Sequence, residues 1–101
     1  MQIVISRKLS KRLECEESIK KHYGKLASGI IVCISILYGA DSLQDVPNAP
    51  PTRRHKLVGN YYGCWGIDLD KRWRMILRPI PISLALNEII RIEIVEIVEY
   101  H

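Results

Sequence analysis

Between Arg53 and Pro79 the chain reads RRHKLVGNYYGCWGIDLDKRWRMILRP. Seven of the fifteen lysines and arginines fall here, at 53, 54, 56, 71, 72, 74 and 78, against two acids, Asp68 and Asp70. The local charge is therefore +5, in a chain whose net charge is +4. The stretch also holds His55, both tryptophans and the adjacent Tyr61 and Tyr62. Fixed cations bind phosphate oxygens, an imidazole moves protons near neutral pH, and aromatic faces stack on bases. Together they suit a polyanion whose bases are open to stacking. The same residues also fit a basic, solvated hairpin with its tryptophans in the core, because a basic patch alone is a weak signal.

The rest of the chain bounds what that stretch can belong to. At 101 residues, 48% apolar and 26% charged, the composition is that of one globular domain covering 1–101, with a single core and little stability to spare. A pI of about 9.1 favours an acidic partner, nucleic acid before acidic protein. The charge is uneven. Residues 1–25 carry seven bases and three acids, residues 26–52 carry Asp41 and Asp45 and no base, and residues 80–101 carry one base and four acids. Cys15, Cys33 and Cys64 are widely spaced and odd in number, which favours free thiols in a reducing compartment. No Cys/His pair has zinc-site spacing. The N-terminus turns polar after five residues, unlike a signal peptide. The apolar run Leu26–Tyr38 is thirteen residues, against the ~20 a membrane helix needs. These features predict a cytoplasmic protein with no membrane partner.

The elements that must position the basic stretch follow in chain order. Ile3-Val4-Ile5 is β-branched and predicts a strand over 2–6. Residues 8–23 are rich in helix formers, with Ser6 or Ser10 as a cap and Leu9, Leu13, Ile19 and Tyr23 as buried positions. His22 is expected exposed and without a role. Gly24 interrupts, and 25–39 stays open between helix and strand: β-branched residues over 30–36 favour a strand, its length and Gly39 favour a helix. Residues 41–44 add a further turn. Prolines at 47, 50 and 51 forbid helix and central strand and stiffen the approach to Arg53.

A hairpin then follows. Trp65, Ile67 and Leu69 share one face of its first strand, and Trp73, Met75 and Leu77 one face of its second. Opposed residues of an antiparallel pair share a face, so joining the apolar faces requires an odd loop, Asp70-Lys71-Arg72. That register sets Leu69 against Trp73, Ile67 against Met75, Trp65 against Leu77, and Asp68 against Arg74. The other face becomes a row of arginines with one acid. Both tryptophans are read as core residues. Pro79 and Pro81 end the strand, 82–88 connect, and 89–99 form a last strand. Strict alternation along it places Tyr100 on the face of Val98 and Ile94, and His101 on that of Glu99 and Ile97.

This layout, with Arg54-His55, Leu57, Gly59, Gly63, Trp65 and Ile67, then Trp73-Arg74 and Ile76, and the terminal Ile97-Val98-Glu99-Tyr100-His101, resembles the HigB-type plasmid-maintenance killer toxins of the wider RelE-like group. Residues 53–101 carry the specific anchors, and residues 1–52 agree in general layout. The resemblance implies an α+β fold, a small antiparallel sheet of about four strands packed against two N-terminal helices, and it tips 25–39 to helix. It implies the toxin of a type II toxin–antitoxin system, an endoribonuclease that cleaves mRNA in the ribosomal A site of the 30S subunit, beside 16S rRNA. It implies an antitoxin partner, expected to be a helix-turn-helix protein. No metal or other cofactor is implied.

Metal-independent cleavage uses the neighbouring 2′-hydroxyl as nucleophile and needs a base, an acid and positive charge at phosphorus. Matched to the family motifs, His55 and His101 become the acid/base pair and Arg74 the transition-state stabiliser. Glu99 stands where Asp is usual, and Tyr100 precedes the terminal histidine. Arg53, Arg54, Lys56, Tyr62, Arg72 and Arg78 are the expected RNA contacts. Bland roles stand beside these: Arg74 paired with Asp68, Tyr100 closing a sheet edge, His55 in an exposed loop. Val58 and Asn60 depart from the Lys and Asp common in relatives, and Tyr61-Tyr62 from a charged pair. The missing lysine removes one phosphate contact, which either weakens activity or is made good by Lys56 and Arg78. Two rival readings follow, a non-catalytic relative that binds an antitoxin or a protein target such as gyrase, and a plain RNA- or DNA-binding module.

Overall fold

The Leu69 N–H donates to the Trp73 carbonyl at 2.9 Å, closing the hairpin over Asp70-Lys71-Arg72 as the parity argument requires. Its strands are Trp65–Asp68 and Trp73–Pro79, and their register pairs Trp65 with Leu77, Ile67 with Met75 and Asp68 with Arg74. In this computed structural model, which describes residues 1–82 and 85–99, the elements in chain order are β1 (Gln2–Ile5), α1 (Glu16–Tyr23), α2 (Ala27–Gly39), β2 (His55–Lys56), β3 (Trp65–Asp68), β4 (Trp73–Pro79) and β5 (Arg91–Glu99). The fold is α+β. The sheet has five strands in the order β1-β5-β4-β3-β2, rather than about four. It is mixed, not antiparallel throughout: β1 runs parallel to β5, with Ile3 beside Ile92 and Ile5 beside Ile94. A parallel pair joining the two ends of a chain leaves no hairpin turn to betray it.

One face of the sheet carries Trp65, Ile67, Met75, Leu77, Ile92, Ile94 and Ile97 into the core with Ala27, Ile30, Cys33 and Leu37 of α2. Outside the buried stripe α2 also carries half-buried Ile31, Ile34 and Ile36 and exposed Val32 and Tyr38, so apolar side chains occur all round it. Hydrophobic periodicity therefore carried no information there, and packing decided for helix. Gly29 permits that packing. A Cβ at this position would lie 2.8 Å from the Leu69 carbonyl oxygen, so only glycine lets the helix rest on the end of the hairpin. Counted through the intervening turn, Glu16–Gly39 spans 24 helical residues, enough by length and composition alone to cross a membrane. Here its inner face is built into the core.

The helix expected over 8–23 begins only at Glu16. Residues 7–13 form irregular turns, with Leu9 and Leu13 both buried. The Ser10 hydroxyl donates to the Arg7 carbonyl at 3.1 Å, a local bond that competes with the helical ladder. From Cys15 onward the charges suit a helix, with Glu16 and Glu17 in the first turn and Lys20, Lys21 and His22 in the last. The expected turn near 41–44 is a single 3-10 turn, Leu43–Asp45, with a Ser42–Asp45 capping box.

Strict alternation fails in β5. Ile76 pairs with Glu96 but Leu77 with Ile94, so one extra residue of β5 is accommodated as a bulge. Ile94 and Ile97, three apart, are then both buried. Val98 consequently does not share the face of Ile94. The faces assigned to Tyr100 and His101 fall outside the described residues.

Candidate active site

The face of the sheet away from the core forms the floor of a cleft of about 730 Å³, into which His55, Arg53, Arg74, Asp68, Tyr61 and Ile76 all project lining atoms. The proline-rich segment holds one wall in place. Thr52 is buried, donates its hydroxyl to the Pro47 carbonyl at 2.7 Å, and accepts the Asp68 N–H at 2.7 Å. Arg53 and Arg54 N–H donate back to the Ala49 and Pro47 carbonyls, each at 3.0 Å. The loop is thus latched to itself and to β3. Arg53 adopts φ 45°, a left-handed conformation that costs a non-glycine residue about 1 kcal/mol or more. That turn aims the Arg53 carbonyl at His55, whose Nδ1 lies 2.6 Å from it.

A carbonyl only accepts, so Nδ1 carries the hydrogen and the neutral ring keeps its lone pair on Nε2. Nε2 is buried and has no hydrogen-bond partner among the described residues. His55 pairs across the ladder with Gly66, and the imidazole occupies the space a side chain would fill. A Cβ on Gly66 would lie 3.2 Å from Nε2. A lone glycine within a strand signals such a close approach, and Gly66 is the sequence mark of this one.

Arg74 sits on the same face, on the next strand, half-buried and opposite Asp68 on one side and Val98 on the other. Asp68 faces Arg53 as well, at 3.6 Å from its Nε. Ile76, two residues on from Arg74, is almost fully buried and closes the floor. The cleft thus joins a tautomer-fixed imidazole, a guanidinium on rigid strand backbone, a second guanidinium on the latched loop, and a tyrosine at the rim.

The other expected contacts divide. Glu99 lines the cleft and pairs with Arg72 at 2.8 Å, which ties Arg72 to the rim. Arg54 and Lys56 flank His55 in sequence and border the cleft, but their charged ends lie over the Trp65 ring, 5.3 and 5.7 Å from its centroid. Arg54 Nε also donates to the Val46 carbonyl at 2.8 Å. Alternation along β2 sends these two away from the face His55 uses. Arg78 pairs with Glu93 away from the cleft, and Tyr62, 81% exposed, does not line it; its neighbour Tyr61 does. Asn48 and Lys71 also line the cleft and were not singled out in the sequence. Tyr100 and His101 lie outside the described residues.

Solved structures with this architecture include YafQ from E. coli strain BL21(DE3), at TM-score 0.62 and 13% identity over 97% of this chain and 91% of that one. A point variant of E. coli YafQ matches at TM-score 0.62 and 14% identity with the same coverage. A YoeB/ParE toxin from Agrobacterium tumefaciens matches at TM-score 0.58 and 17% identity, over 100% of this chain and 99% of that one. The chain shares their fold. No family model and no curated protein sequence matches it, so the likeness rests on architecture: the same layers recur although about six residues in seven differ. Each alignment runs nearly the full length of both chains, so the likeness takes in the helices and β1 as well as the hairpin.

Proposed function

We propose that this protein is the toxin of a type II toxin–antitoxin system, a metal-independent endoribonuclease of one domain, 1–101, that cleaves mRNA in the ribosomal A site. The observation that carries the reading is the meeting, in one basic cleft, of a His55 ring fixed by the Arg53 carbonyl with the guanidinium of Arg74, two strands away on the same face of the sheet. The shared fold with a YoeB/ParE toxin supports it. In this scheme Nε2 of His55 takes the proton of the 2′-hydroxyl, whose oxygen attacks phosphorus. The bond to the 5′ oxygen breaks, leaving a 2′,3′-cyclic phosphate, and His101 protonates the departing oxygen. Arg74 and Arg53 balance charge on the phosphorane oxygens. Glu99 and Tyr100 complete the site as proposed from the family motif. The HigB-type assignment within this group, the 30S and 16S rRNA contacts, the helix-turn-helix antitoxin and the cytoplasmic location belong to the same proposal.

One observation favours the rival reading, a non-catalytic relative directed at a protein target such as gyrase. Val58, at the cleft rim, stands where relatives carry a lysine and is 81% exposed. Expression in bacteria separates the two. The toxin reading expects growth arrest, rescue by the adjacent reading frame, and mRNA cleavage in a purified translation system. Growth arrest without RNA cleavage, together with inhibited supercoiling, would select the rival.

A further inference from the structure

A second groove, of about 300 Å³, opens on the other side of the β3–β4 turn. It is lined by His22, Tyr23, Lys25, Leu26, Asp70 and Trp73, and it shares Asp70 and Trp73 with the cleft. The turn is thus a saddle between two depressions rather than the end of one. Asp70 has a structural task here: its Oδ1 accepts the N–H groups of Arg72 and Trp73, each at 2.8 Å, and holds the turn. Leu26 and Trp73 supply an apolar floor, and His22 and Lys25 a basic rim. The hydroxyl of Tyr23 is buried and has no hydrogen-bond partner among the described residues. A buried hydroxyl without a partner beside a groove calls for a polar atom to meet it. His22, Tyr23 and Lys25 come from the basic N-terminal quarter of the chain, none of which lines the cleft.

We propose that this groove is a second nucleic-acid subsite, continuous with the cleft over the β3–β4 turn, which takes a nucleotide flanking the scissile one on single-stranded RNA. A nucleotide presents what the groove can meet: a flat base for the Leu26–Trp73 floor, a phosphate for Lys25 and His22, and sugar hydroxyls for Tyr23. The inference rests on the RNA-cleavage reading above and extends it from one cleaved phosphate to a strand path.

The test uses 2′-O-methyl oligoribonucleotides, which lack the attacking hydroxyl, bound to the full chain and followed by fluorescence anisotropy. A short strand of roughly three nucleotides occupies the cleft alone, and one of about ten, within the range of single-strand sites, reaches both depressions. Tyr23→Phe and Lys25→Ala are each expected to weaken the long strand by about 5- to 10-fold and to leave the short strand unchanged. Lys25→Ala is also expected to reduce the salt slope of binding by about 0.7, the value for one phosphate on a single strand. Because the hydroxyl has no partner in the free protein, Tyr23→Phe is expected to leave Tm unchanged or raise it; a lowered Tm would make the hydroxyl structural and overturn the assignment. Equal binding of long and short strands, or variants that bind the long strand as wild type does, would overturn the subsite while leaving the cleft reading intact. Wild type that binds neither strand would remove both.

Discussion

His55 and Gly66 face each other across the β2–β3 ladder, and the imidazole fills the volume that any other residue at 66 would claim. A Cβ on Gly66 would also come within 3.1 Å of Leu57 Cδ2. Gly66→Ala therefore requires the ring or Leu57 to give by a few tenths of an ångström. Chain stiffening by alanine offsets part of the crowding, so stability is expected to change by only about 1 kcal/mol. Cleavage is expected to fall by about 10-fold or more, because misplacing a catalytic group is costlier than crowding it. Cleavage rates and urea midpoints measured on the same preparation separate the two effects.

Arg74→Ala is expected to lower cleavage by about 10²-fold or more, as for loss of one transition-state charge contact. Arg74 stands opposite Asp68 in the β3–β4 register, and a cross-strand charge pair at a sheet surface is worth under ~1 kcal/mol, so the variant is expected to stay folded. Arg74→Lys retains the charge without the planar fork. Full recovery by lysine would reduce the role to a point charge, and unfolding of the alanine variant would make it structural.

His101→Ala is expected to leave thermal unfolding nearly unchanged and to lower cleavage by about 10²-fold, the usual worth of a general acid or base. A side-by-side pH profile from 5.5 to 8 on the ribosome-programmed reaction checks it, with the pH values chosen to span the ordinary histidine range around 6.5. Identical rates and profiles for the two proteins would remove His101 from the site.

Gly29→Ala places a methyl 2.8 Å from the Leu69 carbonyl oxygen, a backbone atom that cannot swing aside. The helix must lift from the hairpin, at a cost of about 1–3 kcal/mol. A calorimetric Tm shift of a few degrees is the expected outcome. An unchanged Tm would mean that α2 does not rest on the hairpin in solution.

The three thiols are expected to alkylate in a fixed order. Cys15 is exposed, and hydrogen bonds from Ser18, first through its side chain, lower its pKa below the ordinary 9.0. It reacts first. Burial raises Cys64, and burial with the Asp68 charge pushes Cys33 up to about 11, so Cys33 reacts only on unfolding. A thiol held neutral in the fold contributes stability that is whole below the ordinary 9.0 and drains away as pH rises toward 11. Mass spectrometry of iodoacetamide-treated protein at pH 8 gives the order; early labelling of Cys33 would contradict its place in the core.

What could be read from the chain alone was local. Period-two alternation and the parity of a three-residue loop determined the β3–β4 register, including Asp68 opposite Arg74, because both act between residues a few positions apart. Charge and motif placed His55 and Arg74 in one site, and the cleft brings them together. Distant pairing was another matter. The parallel contact of β1 with β5 joins segments some ninety residues apart, and no local pattern encodes it. The bulge that shifts the face of Val98 depends on how β5 meets β4, so alternation along β5 alone misassigned it. Arg54 and Lys56 read as RNA contacts because charge is visible in a sequence and direction is not; the strand turns them onto Trp65. The tautomer of His55 was decided last, by a left-handed Arg53 whose carbonyl can be aimed only once Thr52 is latched to Pro47 and β3.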